Sequence, residues 1–415
     1  MKPTRFITAV AIACVVSWTG TGAQTPATIK AFTGARLIDG TDRAPIPDAT
    51  IVVRGGRIVS AGPSSSVQVP AGAERIALNG KTVIPGLINA HGHVNAPDRD
   101  LQTYAAYGVT TVFSLGGESA PHFAARDSQN TPALNRARIF VAGPVLDPKT
   151  PAAAREDVAK NQAMKVDLIK IRVDDNLGTT PKMAPDIYKA VIDESHKRGM
   201  RVATHLFYLQ DAKGLLEAGS DFIAHSIRDT AVTPDLIGLL KARNVCVSPT
   251  LMREVSTFVY ESTPDFFSDP FFLKHADMKQ VETLKIPASQ EAMRKSSSAQ
   301  RYKAGLDVAS RNLKTLKDSG VTIAMGTDTG PAGRFQGFFE LKELDLMAKA
   351  GLTNLQVLQS ATRDAARCWK VDQDLGTVEA GRWADFVVLD ADPLADIGNT
   401  KKISAVYIAG NNVPR

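Results

Sequence analysis

The chain is 415 residues long, 44% hydrophobic, 22% charged and 6% aromatic, with 31 Gly and 23 Pro, which excludes collagen-like, disordered and multi-span membrane classes. Its 49 Lys and Arg against 43 Asp and Glu leave a net charge of +6 with both signs interspersed, so no electrostatic footprint for nucleic acid is present. That length suits two or three domains, or one barrel of about 250 residues carrying an extra module.

The predicted elements begin with a leader. Residues 1–23 combine Lys2 and Arg5, an apolar run from Phe6 to Trp18, and small residues at Thr21-Gly22-Ala23. This is the pattern of a secretory signal peptide, and the run is shorter than the roughly 20 residues a spanning helix takes. It predicts a periplasmic or secreted protein with no membrane attachment once the leader is cleaved.

Residues 28–84 are short β-rich runs broken by Gly and Pro, among them Gly34–Gly40, Ala49–Val53 and Arg57–Ala61, and the same texture returns in 372–415 at Asp385–Leu389 and Ile403–Ile408. Both ends are therefore expected to build one small β-sandwich domain. Residues 85–371 alternate apolar runs with helix-period segments. The runs are Val83–Ala90, Val109–Phe113, Ala137–Ala142, Asp167–Ile171, Arg201–Thr204, Phe222–Ala224, Cys246–Ser248 and Val321–Met325. Eight such runs predict an α/β fold of the (β/α)8 TIM-like barrel type, with its active site at the C-terminal ends of the strands. Helices are expected from Pro185 to Gly199 and from Ser298 to Ser319, and the long stretch Arg253–Ser297 as a lid. Cys246 and Cys368 lie far apart in sequence and are expected to be free and packed.

The chemistry-bearing residues fall at the run ends. The first run leads into His91-Gly92-His93, whose side chains share a face in an extended segment; alone this is a weak signal. Only seven histidines exist in the chain, however, and two more close runs, His205 and His225, while Asp328 follows the eighth as Met325-Gly326-Thr327-Asp328. Four histidines and an aspartate at one mouth suit a divalent ion such as zinc, with Asp328 able to bind metal and accept a proton from water. Period-two alternation turns Lys170 inward beneath that site, where a cation would be repelled by bound metal. A carbamate formed with carbon dioxide removes that conflict and supplies oxygen ligands.

In these motifs and their order the chain resembles the amidohydrolase superfamily, in the imidazolonepropionase-related branch that includes metal-dependent prolidases and carboxypeptidase-like amide hydrolases. The segment Gly376–Asp390 resembles the strand these enzymes carry after the barrel. The resemblance implies two divalent metal ions, most simply Zn2+. His91, His93 and Asp328 would hold the more buried ion and His205 and His225 the more exposed one, with carboxylated Lys170 bridging them. Where members often carry Glu before and Gly after the fourth histidine, this chain reads Ala224-His225-Ser226, which touches substrate contacts rather than ligation.

The implied activity is hydrolysis of amide bonds to a C-terminal amino acid, in dipeptides or N-acyl amino acids including aryl amides of the ochratoxin type, with Asp328 catalytic. Tyr208, Arg228, Arg253 and Arg334 follow strand ends and are the candidate substrate contacts. The alternatives are a cyclic-amide or phosphotriester hydrolase on the same ions, and a non-catalytic structural paralogue. A small-molecule substrate, no nucleic acid and a homo-oligomer complete the expectation. His196 is expected on a solvated helix face and His122 and His275 in loops, none with a role.

Overall fold

The computed structural model describes residues 28–415; the expected leader lies outside the described residues. Among the described residues fifteen strands are arranged in three sheets. β1 (Ile29–Leu37), β2 (Ile46–Arg54), β3 (Arg57–Pro63), β4 (Glu74–Ala77) and β5 (Thr82–Pro85) come from the N-terminal part, and β6 (Leu87–Gly92) opens the barrel. It continues through β7 (Val109–Ser114), β8 (Arg138–Val141), β9 (Ile169–Arg172), β10 (Val202–His205), β11 (Phe222–Ala224) and β12 (Cys246–Ser248). β13 (Phe386–Leu389), β14 (Ile403–Ile408) and β15 (Asn411–Asn412) return to the first sheet.

That first sheet is mixed and draws strands from both termini, in the order β15-β14-β13-β5-β1-β2-β3 with β4 on β1. Its core forms because inward residues of both ends are apolar: Phe32, Ile51 and Val53 bury against Phe386, Val388 and Tyr407, and Phe32 meets Phe386 edge-on at 4.9 Å. The run read as one strand from Val83 to Ala90 is in fact split. Thr82–Pro85 pairs with β13, Leu87–Gly92 pairs with β7, and Gly86 turns between them. A side chain at Gly86 would come within 2.1 Å of the Thr110 hydroxyl, so only glycine lets the two sheets part there.

The barrel strands are parallel, β6-β7-β8 in one sheet and β9 to β12 in another. Backbone bonds join the two: Asp167 donates to Val141 (2.8 Å) and Leu146 to Lys170 (2.9 Å). The eighth run makes a single bridge, Val247 to Ile323, and not a ladder, yet Ala90 N–H donates to Met325 O at 2.8 Å and closes the ring. The expected helices form as Pro185–Lys197 and Ser297–Asp318.

The stretch after β12 is built of short helical segments, including Leu251–Val255, Pro270–Leu273, Met278–Leu284 and Pro287–Lys295, rather than open loop. Tyr260, Phe267 and Phe272 from it are buried with Phe335, Phe338 and Phe339 behind the segment that follows Asp328. Among described residues no helix is long and apolar enough to cross a membrane.

Two expectations are corrected here. Cys246 and Cys368 form a disulfide, with Cα atoms 6.0 Å apart despite a sequence separation of 122. The helix Arg363–Trp369 brings Cys368 to the start of β12, and closing a ring of strands makes such distant residues neighbours. His122 is not in a loop. It is buried in the helix Ala120–Asp127 and its Nε2 lies 2.8 Å from Val94 O.

Candidate metal centre

The barrel delivers its side chains to one end. His91 belongs to β6, Lys170 to β9 and His205 to β10, while His225 directly follows β11 and Asp328 the eighth run. His225 (φ +91°) and Asp328 (φ +57°) both occupy left-handed backbone, which non-glycine residues adopt only when surroundings impose it. Gly326 lets the Asp328 segment approach β6: a Cβ there would lie 2.8 Å from His91 Cβ.

One ligand atom each from His91, His225 and Asp328 lies within 4.8 Å of the others, all three residues buried. Asp328 Oδ1 is 2.9 Å from His93 Nε2 and 3.5 Å from His91 Nε2. His225 Nε2 is 2.7 Å from His205 Nδ1, and Lys170 Nζ is 3.4 Å from His91 Nε2. Every ligand position expected from the sequence is thus within one connected set of contacts.

The outer partners decide which lone pairs face inward. Gly116 O, 3.2 Å from His93 Nδ1, can only accept, so in the neutral ring His93 Nε2 presents a lone pair to a carboxylate oxygen. Likewise Asp174, 3.0 Å from His205 Nε2, leaves His205 Nδ1 as the acceptor. Two acceptors facing each other at 2.9 Å repel unless positive charge, a proton or a metal ion, lies between them. Nδ1 of His91 has no partner despite full burial. This donor set, imidazole nitrogens and one carboxylate, fits a divalent ion of the zinc type.

Electrostatics agree. Burial lowers the pKa of His91 and His225 well below the ordinary value and that of His205 to about 3, so these rings are neutral near pH 7, the state in which an imidazole nitrogen can bind a metal. Burial works to raise Asp328, but the Arg334 charge and the bond to His93 hold its carboxyl well below the usual range. Burial also brings Lys170 down to about 7.

The candidate substrate residues divide. Arg334 Nη1 lies 2.5 Å from Asp328 Oδ2, and Arg334 also lines a cavity of about 320 Å³ with Tyr107, Phe272, Phe335 and Phe338. Arg253 is stacked on Tyr302 at 4.2 Å, with Nε 4.0 Å from Asp328 Oδ2. Arg228 is buried away from solvent: Nη1 donates to Leu206 O and Ser226 O, and Nε is 3.0 Å from Glu254. Tyr208 donates its hydroxyl to Asp175 at 2.9 Å. Of the other histidines, His196 pairs with Asp221 at 2.9 Å and His275 packs on Tyr107.

Sequence reading missed the residues behind the ligands. Asp174 orients His205, Thr250 lies 2.8 Å from His225 Nδ1, and Asn89 accepts the His91 N–H at 3.0 Å. Asp174 alone left a trace, four residues after Lys170 and past the same strand end.

The Amidohydrolase family model matches residues 82–413, and the chain belongs to that family. An uncharacterized protein of Mycobacterium bovis is 27% identical over an alignment of 233 residues that covers 50% of this chain and 60% of that relative's length. The imidazolonepropionase of Acinetobacter baumannii is 24% identical over 389 residues, covering 89% of this chain and 92% of the relative. Among solved structures, a Xaa-Pro dipeptidase with methionine bound in its active site superposes with a TM-score of 0.75 at 21% identity, covering 94% of this chain and 100% of that one.

Proposed function

We propose that this chain is a hydrolase of amide bonds to a C-terminal amino acid, acting on dipeptides or N-acyl amino acids, aryl amides included. The observation that carries this is the environment of Asp328, whose Oδ1 faces the histidine cluster while Oδ2 faces two arginines. His91, His93 and Asp328 would hold one divalent ion, His205 and His225 a second, and Lys170 would serve both as a carbamate. When bound, such ions supply Lewis acidity toward the scissile carbonyl and lower the pKa of water.

The chain's own groups do the rest. Lys170 is buried, and its polar side-chain contact is His91, not an acid. Its Nζ, having lost one proton as the ammonium becomes the neutral amine, attacks carbon dioxide, forming an N–C bond and releasing a second proton, so a cation is replaced by an anion. Asp328, ionised, takes the proton of the attacking water on its carboxylate and delivers it to the leaving amine nitrogen. Arg253 and Arg334 provide fixed positive charge for the substrate carboxylate, and the aromatic wall beside Arg334 accommodates an apolar substituent.

The apolar leader and the Cys246–Cys368 disulfide support a periplasmic or secreted location, since disulfides persist in oxidising compartments. A homo-oligomer is part of the same reading. A second substrate class, cyclic amides, is favoured by the near full-length similarity to imidazolonepropionase.

A hydrolysis screen over dipeptides, N-acyl amino acids and cyclic amides, with a metal count on the same preparation, tests this. The expected result is close to two ions per chain and cleavage that falls on the order of 10- to 100-fold in kcat/KM when the substrate carboxylate is amidated, the size of a lost charge-assisted hydrogen bond. Equal cleavage of free and amidated substrates removes the C-terminal amino acid from the proposal, and active protein without metal ends it.

A further inference from the structure

We infer that Glu340, a residue with no part in the scheme above, is the positioning residue for Asp328. The inference rests on the reading of Asp328 as ligand and proton carrier. Asp328 stands in left-handed backbone, so something outside it must hold it there. Its amide and that of Thr327 both donate to His91 O, at 2.6 and 3.0 Å. The side chains on either side of it converge elsewhere, since Thr327 Oγ1 and Thr329 Oγ1 lie 2.7 and 2.6 Å from the same oxygen, Glu340 Oε1.

Asn89 donates to that oxygen as well, at 2.6 Å, while its own Oδ1 accepts the His91 N–H. Thr329 continues the bracing to His93: its carbonyl accepts the His93 N–H at 2.7 Å, and its hydroxyl oxygen lies 2.8 Å from that of Tyr104, which in turn lies 3.1 Å from His93 O. A single carboxylate oxygen therefore ties β6, which carries His91 and leads into His93, to the segment of Asp328. Glu340 is fully buried in the first turn of the helix Phe338–Lys349, where unpaired amides favour negative charge, and its Oε2 has no partner. The three side-chain bonds to Glu340 all end on Oε1.

That asymmetry sets the experiment. Glu340→Met keeps length and removes the acceptor, whereas Glu340→Gln keeps an oxygen where Oε1 stands. Zinc affinity is read by chelator competition on purified protein, and kcat and KM on whichever amide the wild type cleaves. Glu340→Met is expected to weaken zinc retention and lower kcat, each by about 10- to 100-fold as for other groups that orient metal ligands, with KM changed less than about threefold. Glu340→Gln should recover most of both. Thr327→Val, which deletes one of the three donors, should shift both readouts in the same direction and serves if Glu340→Met does not fold. A folded Glu340→Met or Thr327→Val protein with lower Tm but wild-type zinc affinity and kcat would overturn the inference. The zinc measurement needs no substrate, so loosened zinc in a protein that cleaves no amide would sink the substrate reading and leave this one standing.

Discussion

The two sides of the ligand cluster are braced in different ways. His91, His93 and Asp328 are tied through backbone amides and carbonyls to a closed polar network that ends on Glu340. His205 and His225 are each oriented by one side chain, Asp174 and Thr250. The first arrangement adds a shared side-chain acceptor to its backbone bonds; the second relies on strand-end backbone bonds, such as His225 N–H to Ser248 O, and on one side chain per ring. Both sides hold a residue in left-handed backbone, Asp328 and His225, but only the first gathers the hydroxyls flanking that residue onto one buried carboxylate.

The comparison is broken most directly at Asp328. Asp328→Asn keeps the size of the side chain but cannot carry a proton, and kcat is expected to fall by about 10²- to 10⁴-fold, the usual scale of general acid–base catalysis, under saturating zinc. Activity within tenfold of wild type would remove Asp328 from the proton path. Lys170→Ala should cost nearly as much because, on the proposed scheme, both sides lose their shared ligand, and Lys170→Arg should fail too, since a guanidinium stays charged. Added short carboxylates are expected to restore part of the Lys170→Ala activity; full activity of either variant shows that Lys170 is no ligand.

A smaller effect distinguishes the sides. Asp174→Asn leaves His205 with a partner that can donate as well as accept, and is expected to loosen one ion of two by about 10- to 100-fold. Equal loosening of both ions would show that the sides are not separable.

The smallest effect is on stability. Glu343 accepts the N–H groups of Leu251 and Met252 at the start of the helix that carries Arg253, and burial, reinforced by Glu340 and Glu254, raises its pKa from 4.5 to about 8. The native state thus keeps a proton that the unfolded chain releases above about pH 4.5, so this contribution is complete below that pH and is lost as pH rises toward 8. Tm of the wild type should decline over that window more steeply than Tm of Glu343→Gln. Parallel profiles would place the titration elsewhere.

Much of the site could be read from sequence because a barrel sends successive run ends to one mouth. A histidine closing Val202-Ala203-Thr204 and another closing Phe222-Ile223-Ala224 need no further information to be placed together. Asn89, Glu340 and Thr250 carried no such signal, since their roles depend on which helix lies behind which strand. The surroundings of Arg228 were equally hidden: its position past His225 says nothing of the packing of Phe207, Tyr302 and Glu254 around its guanidinium. The cysteine pair misled because separation along the chain says nothing once a ring of strands closes.

That cysteine pair has a consequence for how the molecule can be damaged. The covalent ring it closes, Cys246 to Cys368, contains the helical excursion after β12, Asp328 and Glu340. A protease that nicks the backbone once inside this ring produces two chains that cannot separate. The nicked protein keeps both sides of the metal centre on one covalent body, runs at full length on a non-reducing gel, and comes apart only when a reductant is added.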